Sequence, residues 1–268
     1  MSVASLGMYD PPALRAANDA WWAILAKALT RQGIAEVPDA LFRGEHHSSA
    51  WTRPDLLLTQ TCGYPLMHEY RDWLTSVAAP RYRVDGISKA EYHSVFIVPS
   101  DSSATSLEDL RGKRATFNDD QSQSGYNALR HAIAPLAREG RFFGEAFQSG
   151  GHAISAEKVA NGEADIAAID AVTFALLQKT VPEVTGRVRI LGRSKTVPSL
   201  PYAVAKGTSP ERIAQVRAAL HEAVADPDSA AIREEILLDG FEDIDDKAYT
   251  PLVEMREEAE SLGYPMLG

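Results

Sequence analysis

Short apolar stretches with strand character alternate along this chain with stretches of helical spacing, and the turns between them are unusually rich in Gly, Ser, Tyr and His. Residues 55–61 (Asp-Leu-Leu-Leu-Thr-Gln-Thr) run into Cys62-Gly63-Tyr64-Pro65. Residues 114–117 run into Ser122-Gln-Ser-Gly-Tyr-Asn127, and residues 164–169 end at Asp170 before another helical segment. Strands that alternate with helices predict parallel sheets carrying helices on their faces, an α/β architecture.

The rest of the chain fits that rhythm. Residues 3–8 read as a buried strand closed by Tyr9-Asp10-Pro11-Pro12, and a helix follows on which Leu14, Ala17, Trp21, Ile24, Leu25 and Ala28 share a face, with Gly33 as its stop. A weak strand is expected at 40–43, a short helix at 46–51, a helix at 65–73 and a strand at 76–80. Residues 92–98 form a strong β stretch, and the polar Pro-Ser-Asp-Ser-Ser that follows marks a crossing between lobes. Beyond it come a capped turn at 106–112, a helix at 126–137 that Pro135 must bend or end, a strand at 145–148 and the turn Ser149-Gly150-Gly151-His152. A helix at 155–161, another at 171–179 and a strand at 188–191 complete this half. A strand at 201–205 returns to the first lobe, followed by a helix from Ser209-Pro210, helices at 228–238 and 250–262, and an acidic run at 242–246 read as a solvated loop. The expected division is therefore 1–97 with 201–268 as one lobe and 98–200 as the other.

Charge narrows the function. A net charge of −10 argues against broad contact with nucleic acid or anionic membrane, so any anionic ligand must be held by local donors against the overall field. One cysteine, Cys62, excludes an internal disulfide and reads as a buried packing residue. No run of about 18 apolar residues suggests a membrane span. No basic-then-apolar leader is visible, so the chain as given is expected to be cytoplasmic, or periplasmic if a leader has been removed.

In open α/β sheets ligands sit at the carboxyl ends of strands. The turns to inspect are Tyr9-Asp10, Cys62-Gly63-Tyr64, Ser122–Tyr126, Gly150-Gly151-His152 and Asp170. A strand, a Ser/Gly turn and a helix start present unpaired N–H groups and the positive end of a helix dipole to an oxyanion. An ordinary N-cap at Ser122 or Ser124 is the alternative.

Leu107-Glu-Asp-Leu-Arg-Gly-Lys-Arg114, Ser122-x-Ser-Gly, Ser149-Gly-Gly-His152 and Asn161-Gly-Glu-Ala-Asp165 together resemble the phosphate/phosphonate-type substrate-binding proteins of ABC transporters. The resemblance implies a two-lobed type 2 periplasmic-binding-protein fold, each lobe a mostly parallel sheet flanked by helices, with a ligand cleft between the lobes. It implies that Ser122, Ser124 and Gly125, with Tyr126 beside them, meet the phosphoryl oxygens and that His152 donates to them. Tyr9, Tyr64 and Tyr92 would line the opposite wall, and Asp170 would face a ligand amine or a protonated oxygen. For His152 the alternative is a surface-loop residue, for Asp170 a helix cap, and for the tyrosines half-buried packing.

The expected function is a solute-binding protein that closes by a hinge on phosphate, phosphite or a phosphonate, with an ABC permease as a further partner. No cofactor, metal or catalytic residue is expected, and His46-His47 lack metal-site spacing. The alternatives are an enzyme on the same fold using His152 and Asp170, and a ligand-dependent sensor that binds a partner protein.

Overall fold

The computed structural model describes residues 2–268. Its strands in chain order are β1 (Val3–Ser5), β2 (Leu56–Gln60), β3 (Leu74–Tyr82), β4 (Glu91–Tyr92), β5 (Ser94–Pro99) and β6 (Arg114–Phe117), then β7 (Glu145–Gln148), β8 (Ile166–Asp170), β9 (Val188–Arg193), β10 (Val197–Pro198), β11 (Tyr202–Ala205) and β12 (Leu238–Asp243). The chain divides into two compact units, one from the N-terminus to Glu91 with Pro198–Tyr249, the other Tyr92–Val197 with Thr250–Gly268. β4 pairs with β10 where the chain passes from one unit to the other.

The first unit holds a five-stranded sheet in the order β1-β2-β11-β3-β12. β1 and β2 run parallel, whereas β11 is antiparallel to both its neighbours and β12 antiparallel to β3. The helix Arg15–Arg31 buries Trp21, Trp22, Leu25 and Leu29 and packs with the helix Pro210–Ala225. Placing its large apolar side chains every third or fourth residue sets one continuous stripe toward the core.

The second unit's sheet has the order β7-β6-β8-β5-β9. β6 is parallel to β7 and β8, and β5 is antiparallel to β8 and β9. Both sheets are thus mixed rather than mostly parallel. The strands that enter a unit from a crossing, β5 and β11, come in without a helical crossover, so nothing obliges them to run with their neighbours.

Four further expectations change. The C-terminal helix, Thr250–Ser261, belongs to the second unit, where Ala259 and Tyr264 join Phe96, Leu129, Ile133 and Phe143 in the core. The passage into that unit lies at 91–92 rather than 98, because β5 is an interior strand of its sheet. The acidic run is not a loop throughout: β12 follows the helix Ala230–Glu235 after Leu237 turns the backbone at φ +59°. Phe241 holds β12 in place, stacked on Trp21 at 6.3 Å and edge-on to Tyr202 at 4.9 Å. The acids are used as well, Glu242 accepting from the Ala90 N–H at 3.2 Å and Asp246 from the Ser76 N–H at 2.8 Å. Residues 40–43 form no strand; Phe42 makes a single backbone bond to the Ala4 carbonyl at 2.7 Å.

Candidate functional site

β6, β7 and β8 are parallel neighbours, so their carboxyl ends lie along one edge of the second unit's sheet. The turns that leave them are those around Ser122–Asn127, Gly150–His152 and Asp170. β5 runs the other way and begins at the same edge, with Ser94 paired to Asp170. The Ser94 hydroxyl donates to the Ser124 carbonyl at 2.8 Å, tying the start of β5 to the turn after β6.

That turn is not an α-helical start. Residues Gln123–Asn127 form a π-helical turn, in which the Asn127 N–H reaches back to the Ser122 carbonyl at 3.0 Å. The helix Ala128–Ile133 continues it, and Ala134–Leu136 closes it as a 3₁₀ turn at Pro135. The wider turn opens the backbone around Ser124, and such turns recur at functional sites. Ser122 acts as its N-cap, its Oγ accepting the Gly125 N–H at 3.1 Å. Gly125 is required by contact: a Cβ there would lie 1.8 Å from Asn118 Oδ1. Asn118, just beyond β6, went unremarked in the sequence. Its buried Oδ1 accepts no hydrogen bond, and its signal was only that a polar residue directly follows a buried strand.

His152 opens the helix His152–Ala160 and stands 2.8 Å, Nε2 to Oγ, from Ser124. Which of the two donates depends on the imidazole tautomer. The Ser122 and Ser124 hydroxyls are 3.4 Å apart. The helix has no side-chain cap, so its first amides and its dipole face the same edge. Gly150 needs its lack of a side chain, with φ at +94°, but Gly151 is extended at φ −177° and does not. Two hydroxyls, an imidazole and a helix start therefore meet at the ends of two adjacent strands, a donor array suited to a small oxyanion.

A family model described as "ABC transporter, phosphonate, periplasmic substrate-binding protein" matches residues 4–249. The chain belongs to that family. Among solved structures, a binding-protein component of an ABC phosphonate transporter from Pseudomonas aeruginosa is similar at a TM-score of 0.77 and 16% identity, over 97% of this chain and 87% of that one. PhnD1 from Prochlorococcus marinus, solved with methylphosphonate, is similar at 0.75 and 18% identity, over 97% and 98%. XAC2383 from Xanthomonas citri, solved with ATP, is similar at 0.72 and 18% identity, over 98% and 97%. At such identities these likenesses establish the fold, the two-lobed fold of type 2 periplasmic binding proteins. The protein is a solute-binding protein of the phosphonate class.

The remaining expected residues of this binding protein are spread more widely. Asp170, 1% exposed, caps the helix Ala171–Thr180, its Oδ1 accepting the Thr173 N–H at 2.9 Å. The Tyr126 hydroxyl accepts the Leu267 N–H at 3.3 Å and its ring meets Phe117 edge-on at 4.9 Å, so its side chain serves the C-terminal segment. Tyr92, at 1% exposed, is packed at the passage between the units. In the first unit Tyr9 and Tyr64 follow the parallel strands β1 and β2, both nearly buried. Tyr9 sits edge-on to Tyr82 at 5.2 Å, and Tyr64 lies 4.5 Å from His68. Next to Ser94, the buried His93 is held below the usual histidine range by desolvation and by the charge of Arg193, so it is a neutral ring beneath the site. Among the described residues no cluster of His, Cys, Asp or Glu is placed to hold a metal, and no helix is long and apolar enough to cross a membrane.

Proposed function

We propose that this protein binds a phosphonate or a closely related phosphate-like anion in the periplasm, delivers it to an ABC permease, and does no chemistry on it. The observation that carries the reading is the Ser124 Oγ–His152 Nε2 contact at 2.8 Å, made at the uncapped start of the helix His152–Ala160. With the imidazole Nε2–H donating to Ser124 Oγ, the Ser124 hydroxyl proton is left for an anion together with the first amides of that helix, all fixed before it arrives. Preorganised donors lose little freedom on binding, which favours affinity without any large apolar contact. Asp170 tunes the choice of anion: a carboxylate near the site opposes a fully ionised ligand and favours one with a protonated oxygen or an ammonium group.

A thermal-shift panel of phosphate, phosphite, methylphosphonate, aminoethylphosphonate and sulfate tests this. A ligand at a hundredfold excess over Kd adds about 2.7 kcal/mol, which is roughly 5–10 °C in Tm for a chain of this size. No saturable shift with any member overturns the reading.

The same contact supports a second reading, since a hydroxyl at hydrogen-bond distance from an imidazole is also a nucleophile with its base. Phosphate release from a phosphate ester during prolonged incubation, lost in Ser124→Ala, favours that reading. Ligand recovered unchanged rejects it.

A further inference from the structure

Behind the Ser122–Asn127 turn runs a chain of buried polar side chains. Asn127 Nδ2 donates to Gln123 Oε1 at 2.7 Å and to the Leu252 carbonyl at 3.1 Å. Arg130 Nη2 donates to Asn127 Oδ1 at 2.7 Å, and its Nη1 to the Pro265 carbonyl at 2.7 Å. Gln123 Nε2 lies 3.5 Å from Met255 Sδ. The Arg130 guanidinium also lies over the Tyr126 ring. Gln123, Asn127 and Arg130 are 1%, 0% and 4% exposed, and Arg130 is the one buried Lys or Arg among the described residues.

Burying a guanidinium against neutral oxygens is costly, and its Nε makes no hydrogen bond. Core packing alone is served better by Leu or Met at that place. What the arginine achieves is a connection. Leu252, Met255 and Pro265 all belong to the segment 250–268, which lies beyond the 4–249 matched by the family. A π turn is rare and seldom extends beyond a single turn, and this one is held from outside by the side chains that pack behind it.

We propose that Asn127 and Arg130 are positioning residues that fix the π turn, and with it Ser124, against residues 250–268, making this C-terminal segment part of the binding machinery. The inference rests on the anion-binding reading of Ser124. Coupling of this kind is reciprocal: if the segment stabilises the ligand-ready turn, the ligand must stabilise the segment.

Hydrogen exchange on the unaltered protein, with and without saturating methylphosphonate or inorganic phosphate, tests it. Peptides covering 252–268 gain protection together with 122–130, and more than the helix Pro210–Ala225 of the first unit. Calorimetry on Arg130→Met, Ser124→Ala and the double variant adds a second reading. Arg130→Met weakens binding, roughly 5- to 150-fold by the usual span of coupling, and Ser124→Ala costs much less in its background than alone. An unprotected C-terminal segment with ligand bound overturns the inference, as do strictly additive effects. If Arg130→Met does not fold, the exchange experiment decides alone. Failure of both anions to bind the unaltered protein overturns the binding reading itself, a distinguishable result.

Discussion

Replacing Gly125 by alanine tests the turn at its tightest point. The new Cβ would lie 1.8 Å from Asn118 Oδ1, 2.9 Å from Asn118 Cγ and 3.3 Å from the Asn118 backbone nitrogen. Rotating the amide about χ2 moves the oxygen away but leaves Cγ and the nitrogen where they are. Either Asn118 leaves its rotamer or the turn shifts outward, and overpacking of this sort costs about 1–3 kcal/mol. An outward shift also endangers the bond from the Gly125 N–H to Ser122 Oγ, now 3.1 Å, worth about 1 kcal/mol more. At roughly 2–4 °C per kcal/mol, the combined cost of about 1–4 kcal/mol lowers the Tm of Gly125→Ala by about 2–16 °C, and calorimetry shows weakened anion binding because Ser124 moves with the turn. Asn118→Ala removes the obstruction together with an oxygen that accepts no hydrogen bond, so it costs little alone and restores Gly125→Ala in the double variant. A Gly125→Ala protein with unchanged Tm and affinity refutes the reasoning, and so does a double variant no better than Gly125→Ala.

Asp170→Ala removes the acceptor of the Thr173 N–H and lowers stability by about 1 kcal/mol, whereas Asp170→Asn keeps that cap and its Tm. Ligand preference measured on Asp170→Asn then reports the carboxylate charge alone, and an unchanged preference denies it a part in selecting the anion. His93 makes stability depend on pH. The unfolded chain takes up a proton near the ordinary value of 6.5, which the buried folded ring resists, so stability is full above that pH and falls below it. Urea unfolding at pH 5 and 7.5 shows this loss in the unaltered protein and less of it in His93→Gln; equal losses reject the assignment. Phe241→Ala opens a cavity between Trp21 and Tyr202 and costs about 3–5 kcal/mol, read as a lower urea midpoint.

The chemistry at the sheet edge was legible because it depends on strand ends, and strand ends show in sequence as apolar runs that stop at Gly, Ser or His. Strand ends of that kind are what single out Ser124 and His152, which the fold brings within 2.8 Å of each other. Asp170 carried two readings in the sequence, and its capping bond shows one of them at work. What stayed hidden depends on partners far along the chain. β12 stayed hidden because Glu242 within it and Asp246 just beyond it form long-range bonds to Ala90 and Ser76, and only Phe241 marks its inward face. Neither the placement of the C-terminal helix nor the commitment of Tyr126 to Leu267 leaves any local trace, since each is decided by contacts more than a hundred residues apart. Asn118 escaped for a related reason: its importance lies in the space it takes from Gly125, which no spacing rule records.

The strand order of the first unit has a consequence for how the protein is made. β11 fills the middle of that sheet, between β2 and β3, yet it is synthesised after the whole of the second unit's sheet. Until it emerges, β2 and β3 lack their shared neighbour and present open edges, the condition in which nascent chains associate wrongly. The second unit in turn waits for Ala259 and Tyr264 to complete its core. On the ribosome neither half can finish early, and a chain cut short before residue 250 leaves the second unit without its last wall.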